Sequence, residues 1–192
     1  MLFNGIMYQV IEMNNLIETI LKRRSIRSYT DEPLTQSEID TLISCAKMSP
    51  SGRNGQPLLL RVVTDKNLLE DFNHNMWDSI GENTKPYTRC DTNPVYHGAP
   101  AMFFLFSETE NTCYMDAGIM VENIAIAAEA LGLGSCIIGS CGAVFDGDFS
   151  CKWHKILQIP ERNPFMIAIV VGHKNENPEV KPRKDENYTI IK

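Results

Sequence analysis

The sequence predicts one domain in which a mixed β-sheet is flanked by helices. Segments with helical periodicity interleave with short apolar runs of strand length, and the strands are few for the number of helices. No repeat and no low-complexity linker interrupts the 192 residues. A chain of this length is most simply a single domain with a sizeable core.

Helices are expected where capping residues precede an amphipathic or apolar segment. Thr35 with Glu38 forms a capping-box pattern, Asp65 can cap the following helix, and Gly132 gives a C-terminal stop. The predicted helices cover residues 16–24, 35–48, 65–82, 114–131 and 149–157.

Three apolar runs predict strands, at residues 58–64, 101–106 and 165–171. The run at 101–106 is continuous, which favours a strand buried on both faces. Residues 84–98 form a polar loop with two prolines, expected to be a mobile or substrate-facing segment or simply variable surface.

The helix at 114–131 is apolar in nearly every direction around its axis. Such a helix has to be buried on all sides. Either it is the core helix of the domain, or a second subunit covers one of its faces.

Composition excludes several classes of protein. A net charge of −6 argues against a dedicated nucleic-acid binder, and no apolar stretch approaches the roughly 20 residues of a membrane span. Residues 1–13 lack the basic region and cleavage pattern of a signal peptide, so they are treated as an N-terminal extension without an assigned role. The six cysteines are expected to be reduced thiols in a cytoplasmic protein.

Metal and dinucleotide sites are not expected. Cys136, Cys141, Cys151 and His154 lack the spacing of a zinc knuckle, and no iron–sulfur run is present. The Gly132-Leu133-Gly134 sequence follows a helix where a dinucleotide fingerprint follows a strand. His97, His154 and His173 are expected to be structural or surface residues.

The run at residues 23–27, Arg-Arg-Ser-Ile-Arg, carries three guanidinium groups and a hydroxyl within five residues. Arginine offers a planar fork of donors that matches phosphate oxygens. In an acidic protein, such a cluster suits a small phosphorylated ligand. A solvated basic helix end is the alternative interpretation.

A second polar segment, at residues 49–57, joins a predicted helix to a strand. It is rich in turn formers and carries two amides, two hydroxyls and an arginine. It can present many donors and acceptors at one place, although it could also be an ordinary connecting loop.

The order of these segments resembles the nitroreductase family of flavoproteins. The matching elements are the runs at 23–27 and 50–57, the helix 116–134, Ile138-Gly139, Val171-Gly172-His173 and the tail 181–184. No one motif is diagnostic, but their order over one domain, residues 14–192, is specific.

The resemblance implies an α+β fold that forms an intertwined homodimer with flavin mononucleotide (FMN) at the subunit interface. Arg23, Ser25 and the tail residue Arg183 would bind the phosphate and ribityl chain, and Arg27 would lie near the pyrimidine side of the flavin ring. The backbone at Ile138-Gly139 would hydrogen-bond flavin N5, unless this segment is only a loop between helices. The remaining implied cofactor contacts are Arg24, Pro50, Ser51, Asn54, Gln56, Lys181 and Lys184, of which Pro50 and Ser51 would reach the partner's flavin.

The expected activity is an FMN-dependent oxidoreductase. NADH or NADPH would deliver a hydride to the flavin, which would then reduce a nitroaromatic, a quinone or a similar conjugated acceptor in a ping-pong mechanism. No catalytic side chain is assigned. Two alternatives stay open: a specialised flavin oxidase or dehalogenase, and a non-enzymatic flavin carrier or redox sensor.

Overall fold

The computed structural model describes residues 15–80, 95–184 and 189–191. The N-terminal extension at 1–13, the end of the helix predicted to reach residue 82, and most of the polar loop at 84–98 lie outside the described residues.

A four-stranded antiparallel sheet forms the centre of the molecule. Its order is β1-β2-β4-β3, which places β2 and β4 inside. The strands are β1 Leu58–Val63, β2 Ala101–Ser107, β3 Gly134–Ile138 and β4 Phe165–Gly172. The sequence predicts a mixed sheet, but within the described residues the parallel pairing is limited to an isolated bridge between Ser25 and Ser135 beside β3.

Six helices accompany the sheet in the described part of the chain. They are α1 at residues 15–22, α2 Gln36–Lys47, α3 Lys66–Ile80, α4 Tyr114–Ala130, α5 Gly142–Phe145 and α6 Ser150–Ile156. Both halves of the predicted capping box at Thr35 and Glu38 are formed. Asp65 accepts a hydrogen bond from the Leu68 amide at the start of α3, and Gly132 adopts a φ of +78° just beyond α4.

The sheet separates two hydrophobic cores. One core packs side chains of β2 and β4 against α3, α5 and α6, and the other packs the opposite faces of these strands against α2 and α4. All seven residues of β2 are buried, as the continuous apolar run predicts. In α4 the buried side chains are Ala117, Val121, Ile124, Ala125 and Ala128.

The structure has the predicted architecture of helices around a sheet, with two elements that the sequence analysis missed. Strand β3 was taken for the loop after α4, and the short helix α5 was not predicted. Both elements are only four or five residues long and β3 begins at a glycine, so they carry little periodicity. Within the described ranges, no helix is long and apolar enough to span a bilayer.

Candidate functional site

The basic run after α1 lies along the edge of strand β3. The Ile26 amide donates to the Ser135 carbonyl at 2.9 Å, and the Ile26 side chain is only 2% exposed. This approach depends on Gly134, because a Cβ at that position would lie 2.9 Å from three atoms of Ile26. The strand missed from the sequence therefore fixes the backbone of the predicted phosphate-binding run.

The chain beyond β4 pairs with the other end of the same run. The Thr30 amide donates to the His173 carbonyl at 3.0 Å, and the Asn175 amide donates to the Ser28 carbonyl at 3.0 Å. The backbone amide of Arg27 donates to the Glu176 carboxylate. These contacts bring the C-terminal tail back to the arginine run, although the two are about 150 residues apart in sequence.

The arginine run and the tail enclose one cavity of about 170 Å³. Five of the predicted basic residues and the predicted serine line it, together with Pro178 and Glu179. The predicted residues at the cavity are Arg23, Arg24, Ser25, Arg27, Lys181 and Arg183. Lys184 is exposed and is not part of the lining.

The three arginines of the run have different partners. Arg24 donates through Nη1 to the carbonyls of Leu21 and Arg23, at 2.7 and 2.6 Å, and so closes the C-terminal end of α1. Arg27 is exposed and makes one long contact, 3.4 Å, to the Ser25 carbonyl. Arg23 forms an ion pair with Glu122 of α4, with 3.3 Å between Nε and Oε1.

Two titratable groups, the buried Cys136 and the half-buried His97, interact with Arg27 of the basic run. Burial raises the pKa of the Cys136 thiol, an effect only partly offset by Arg27. Burial also lowers the pKa of His97, and Arg27 lowers it further. Both groups are therefore neutral near pH 7, so Cys136 is not an activated nucleophile and His97 adds no positive charge.

The second predicted segment lines a different cavity, of about 230 Å³, beside α2 and α4. Pro50, Ser51 and Gln56 contribute to it, whereas Asn54 is exposed and does not. No residue lines both cavities. A single chain thus brings together the basic residues of the predicted site but does not join them to the residues of the 50–57 loop.

The backbone of this loop is strained. Arg53, Asn54 and Gln56 have φ values of 54°, 56° and 47°, a region that residues other than glycine seldom adopt. The Gln56 amide donates to Ser51 Oγ at 2.9 Å, and the Gly52 amide donates to the Asp116 carboxylate of α4 at 3.3 Å.

The predicted pair Ile138-Gly139 ends strand β3. The Ile138 side chain is buried and faces the core, whereas Gly139 is exposed at the start of a 3₁₀ turn. Only backbone is presented at Gly139, which suits the expected backbone contact to a ligand. The alternative of a loop between helices is wrong, since a strand precedes this position.

Three residues of this region were not identified from the sequence: Gly134, Glu122 and Glu176. In the sequence analysis, the Gly132-Leu133-Gly134 segment is used as a helix end and as part of the family match, and Gly134 is assigned no role in packing against the arginine run. The two glutamates carry no local signal, because their partners Arg23 and Arg27 are remote in sequence. The described residues contain no group of three or more His, Cys, Asp or Glu side chains that could hold a metal ion.

A profile described as the Nitroreductase family matches residues 20–173. The chain belongs to the nitroreductase family.

Relatives and solved structures agree with this membership. The chain is 32% identical over 183 residues to the NADPH-flavin oxidoreductase of Vibrio harveyi, covering 93% of this chain and 73% of the relative. It is 31% identical over 195 residues to the FMN reductase (NADPH) of Bacillus subtilis, covering 89% and 70%.

The fold matches a nitroreductase with bound FMN from Desulfitobacterium hafniense, with a TM-score of 0.86 at 24% identity. The match covers 93% of this chain and 99% of the other. The predicted α+β nitroreductase fold is therefore confirmed.

The contact between Gly134 and Ile26 gives a prediction for Gly134→Ala. The added methyl group has no room, so the basic run should move away from β3 at a cost of about 1–3 kcal/mol. Urea unfolding should show lower stability, and the displaced run should bind FMN more weakly. Gly142→Ala is the control, since its new methyl would meet only ordinary contacts at 3.8 and 3.9 Å. Equal stability of the two variants would contradict the tight packing of this run.

Proposed function

We propose that the cavity between the arginine run and the tail binds the terminal phosphate of FMN in an NAD(P)H-dependent reductase of conjugated acceptors. The observation that carries this proposal is the convergence of Arg23, Arg27, Lys181, Arg183 and Ser25 on one cavity, in a protein with a net charge of −6. Guanidinium and hydroxyl donors are the groups that bind a phosphate dianion.

The residues present fit this cofactor. Cations come from both ends of the chain and surround a space of about 170 Å³, which is a suitable size for a phosphate group with part of its ribityl chain. Arg24 contributes differently, because its Nη1 donors are used to close α1. We therefore assign to Arg24 the role of holding the run in place.

The predicted enzyme class and cofactor, an NAD(P)H-dependent oxidoreductase that uses FMN, are confirmed by the family and by the names of its relatives. Bound FMN supplies a two-electron carrier that accepts a hydride and passes electrons to an acceptor. The chain's own residues bind and orient it. Arg27 provides a cation near the site, and Gly139 presents backbone at the end of β3.

The second part of the site is proposed to come from a partner subunit. The loop at 50–57 and the basic cavity share no lining residue in one chain, and each carries residues that the family resemblance assigns to flavin binding. In a homodimer, the 50–57 loop of each subunit would complete the basic cavity of the other, which gives two equivalent sites. Its interface is supported by large apolar side chains left exposed on α1, α4 and the end of α2, namely Leu16, Leu21, Met48, Tyr114 and Met115.

The dimer proposal gives a prediction for light scattering at micromolar concentration, where the protein should have twice the mass of one chain. Met115→Glu should shift it toward monomer, because Met115 is 82% exposed in one chain and a charge there would be buried by the partner. Asn67→Glu, on the exposed surface of α3, adds the same charge on the opposite layer and should leave the mass unchanged. A flavin-loaded wild-type monomer would rule out the shared site.

The phosphate assignment predicts that Arg23→Ala weakens FMN binding. A charge-assisted hydrogen bond is worth about 1.5–3 kcal/mol, or roughly a 10- to 150-fold change in Kd. Riboflavin, which lacks the phosphate, should bind both proteins alike. The measurement is quenching of flavin fluorescence on titration with apoprotein. Arg162→Ala removes an exposed arginine outside the cavity and is the matched control. An unchanged FMN Kd in Arg23→Ala would refute the assignment.

We further propose ping-pong kinetics with a nitroaromatic or quinone acceptor. The chain has no dinucleotide fingerprint, so donor and acceptor would use one face of the cofactor in turn. Initial rates with NADH or NADPH and a benzoquinone should give parallel double-reciprocal lines, and each substrate should inhibit competitively against the other at high concentration. The control is free FMN without protein. Intersecting lines would show that both substrates bind together.

A further inference from the structure

The ion pair between Arg23 and Glu122 joins the proposed phosphate site to helix α4. Oε1 of Glu122 lies 3.3 Å from Nε of Arg23, the nitrogen on the inner side of the guanidinium group. The side chains are 23% and 43% exposed. In the described part of the chain, the two terminal nitrogens of Arg23 have no hydrogen-bond partner, so they stay available for a ligand.

Arg23 differs in this respect from its neighbours. Arg24 has its Nη1 donors engaged by two carbonyls, and Arg27 is exposed with one long contact. Among the three arginine side chains, only the guanidinium group of Arg23 is paired with a carboxylate in the described residues. The Glu122 carboxylate attracts the guanidinium group on its Nε side, as an ion pair and not an aligned hydrogen bond, and leaves the forked end free for bidentate binding of an anion.

Glu122 occupies a rigid position. Its neighbours Val121 and Ile124 are buried in the core between α4 and the sheet. The next residue, Asn123, donates to Ser49 Oγ at 3.0 Å and to the Cys45 carbonyl at 3.4 Å, and so ties α4 to the end of α2. A side chain that starts from such a helix can orient a partner more firmly than one on a loop.

We propose that Glu122 is a positioning residue that orients Arg23 toward the flavin phosphate and thereby favours FMN over unphosphorylated flavin. This inference rests on the proposed function of the cavity. It assigns to α4 a part in cofactor selection in addition to its part in the core.

Glu122 has two opposing effects on a bound phosphate. Orientation of Arg23 strengthens binding, whereas the carboxylate charge repels the anion and weakens it. Glu122→Gln removes the charge but keeps an oxygen acceptor at the same reach, and Glu122→Ala removes both. The two variants therefore lose the same repulsion, and any difference between them reports the orientation of Arg23.

The experiment measures binding of FMN and of riboflavin to the apoproteins. The proteins compared are the wild type, the single variants Glu122→Gln, Glu122→Ala and Arg23→Ala, and the two double variants that combine each Glu122 change with Arg23→Ala. We expect the FMN Kd of Glu122→Ala to exceed that of Glu122→Gln by roughly 2- to 3-fold, the low end for one polar contact, because the 3.3 Å contact to Arg23 is not aligned as a hydrogen bond. Riboflavin should bind the two Glu122 variants equally. The difference should vanish when Arg23 is absent, as required for coupled residues.

Equal FMN binding by Glu122→Gln and Glu122→Ala, with Arg23→Ala still impaired, would overturn the role of Glu122 and leave the phosphate site intact. Normal FMN binding by Arg23→Ala would overturn the phosphate site and the role of Glu122 together. A difference that appears equally with riboflavin would indicate a general structural effect and would also overturn the inference. Glu122→Asp keeps the charge but has a shorter side chain, so it should bind FMN more weakly than wild type. It replaces Glu122→Ala in the comparison if the alanine variant does not fold.

Discussion

The hydrogen bond from the Ile26 amide to the Ser135 carbonyl is the contact on which the rest of the site depends. It attaches the arginine run to the outer edge of the sheet, where β3 would otherwise present unpaired backbone groups. Its geometry requires a glycine at position 134, because a side chain there would occupy the space of Ile26. Once the run is fixed, Ile26 is buried in the core while Ser25 and Arg27 line the cavity.

The same run is held at its other end by the chain that follows β4. Pairing between residues 28–30 and 173–175, together with the carboxylate of Glu176, directs the tail across the arginines. Lys181 and Arg183 reach the cavity because this pairing turns the tail back, and both are exposed there. Positive charges that would repel each other are thus assembled by backbone pairing and by the Glu176 carboxylate, and Glu122 and Glu179 compensate only part of this charge. An anionic ligand would compensate the rest.

Much of the fold follows from local sequence signals. The capping box at Thr35, the continuous apolar run of β2 and the positive φ at Gly132 were all predictable, because each depends on residues close together in the chain. Strand β3 was missed because five residues that begin with glycine have no distinctive periodicity and form a strand only through pairing with β4.

The site was predictable to a different degree. The arginine run is predicted from its own residue types and the tail through family resemblance, and the structure places Arg23, Arg27, Lys181 and Arg183 at one cavity. Glu122 and Glu176 contact Arg23 and Arg27 from distant segments of the chain. No local sequence pattern predicts such contacts. Lys184 was included by its place in the basic tail, and sequence alone could not separate it from its neighbours that line the cavity.

The conformation of the 50–57 loop makes sense if a second subunit and a ligand complete the site. Positive φ values at Arg53, Asn54 and Gln56 cost of the order of 1–3 kcal/mol each. The contacts made by the Gly52 and Gln56 amides are exposed hydrogen bonds, and each contributes about 1 kcal/mol. The Asn54 and Gly55 amides also donate, to the carbonyls of Ser51 and Gly52 at 2.9 and 3.0 Å. Contacts to the exposed face of the loop would stabilise this conformation further, and a flavin shared across a dimer interface would supply them.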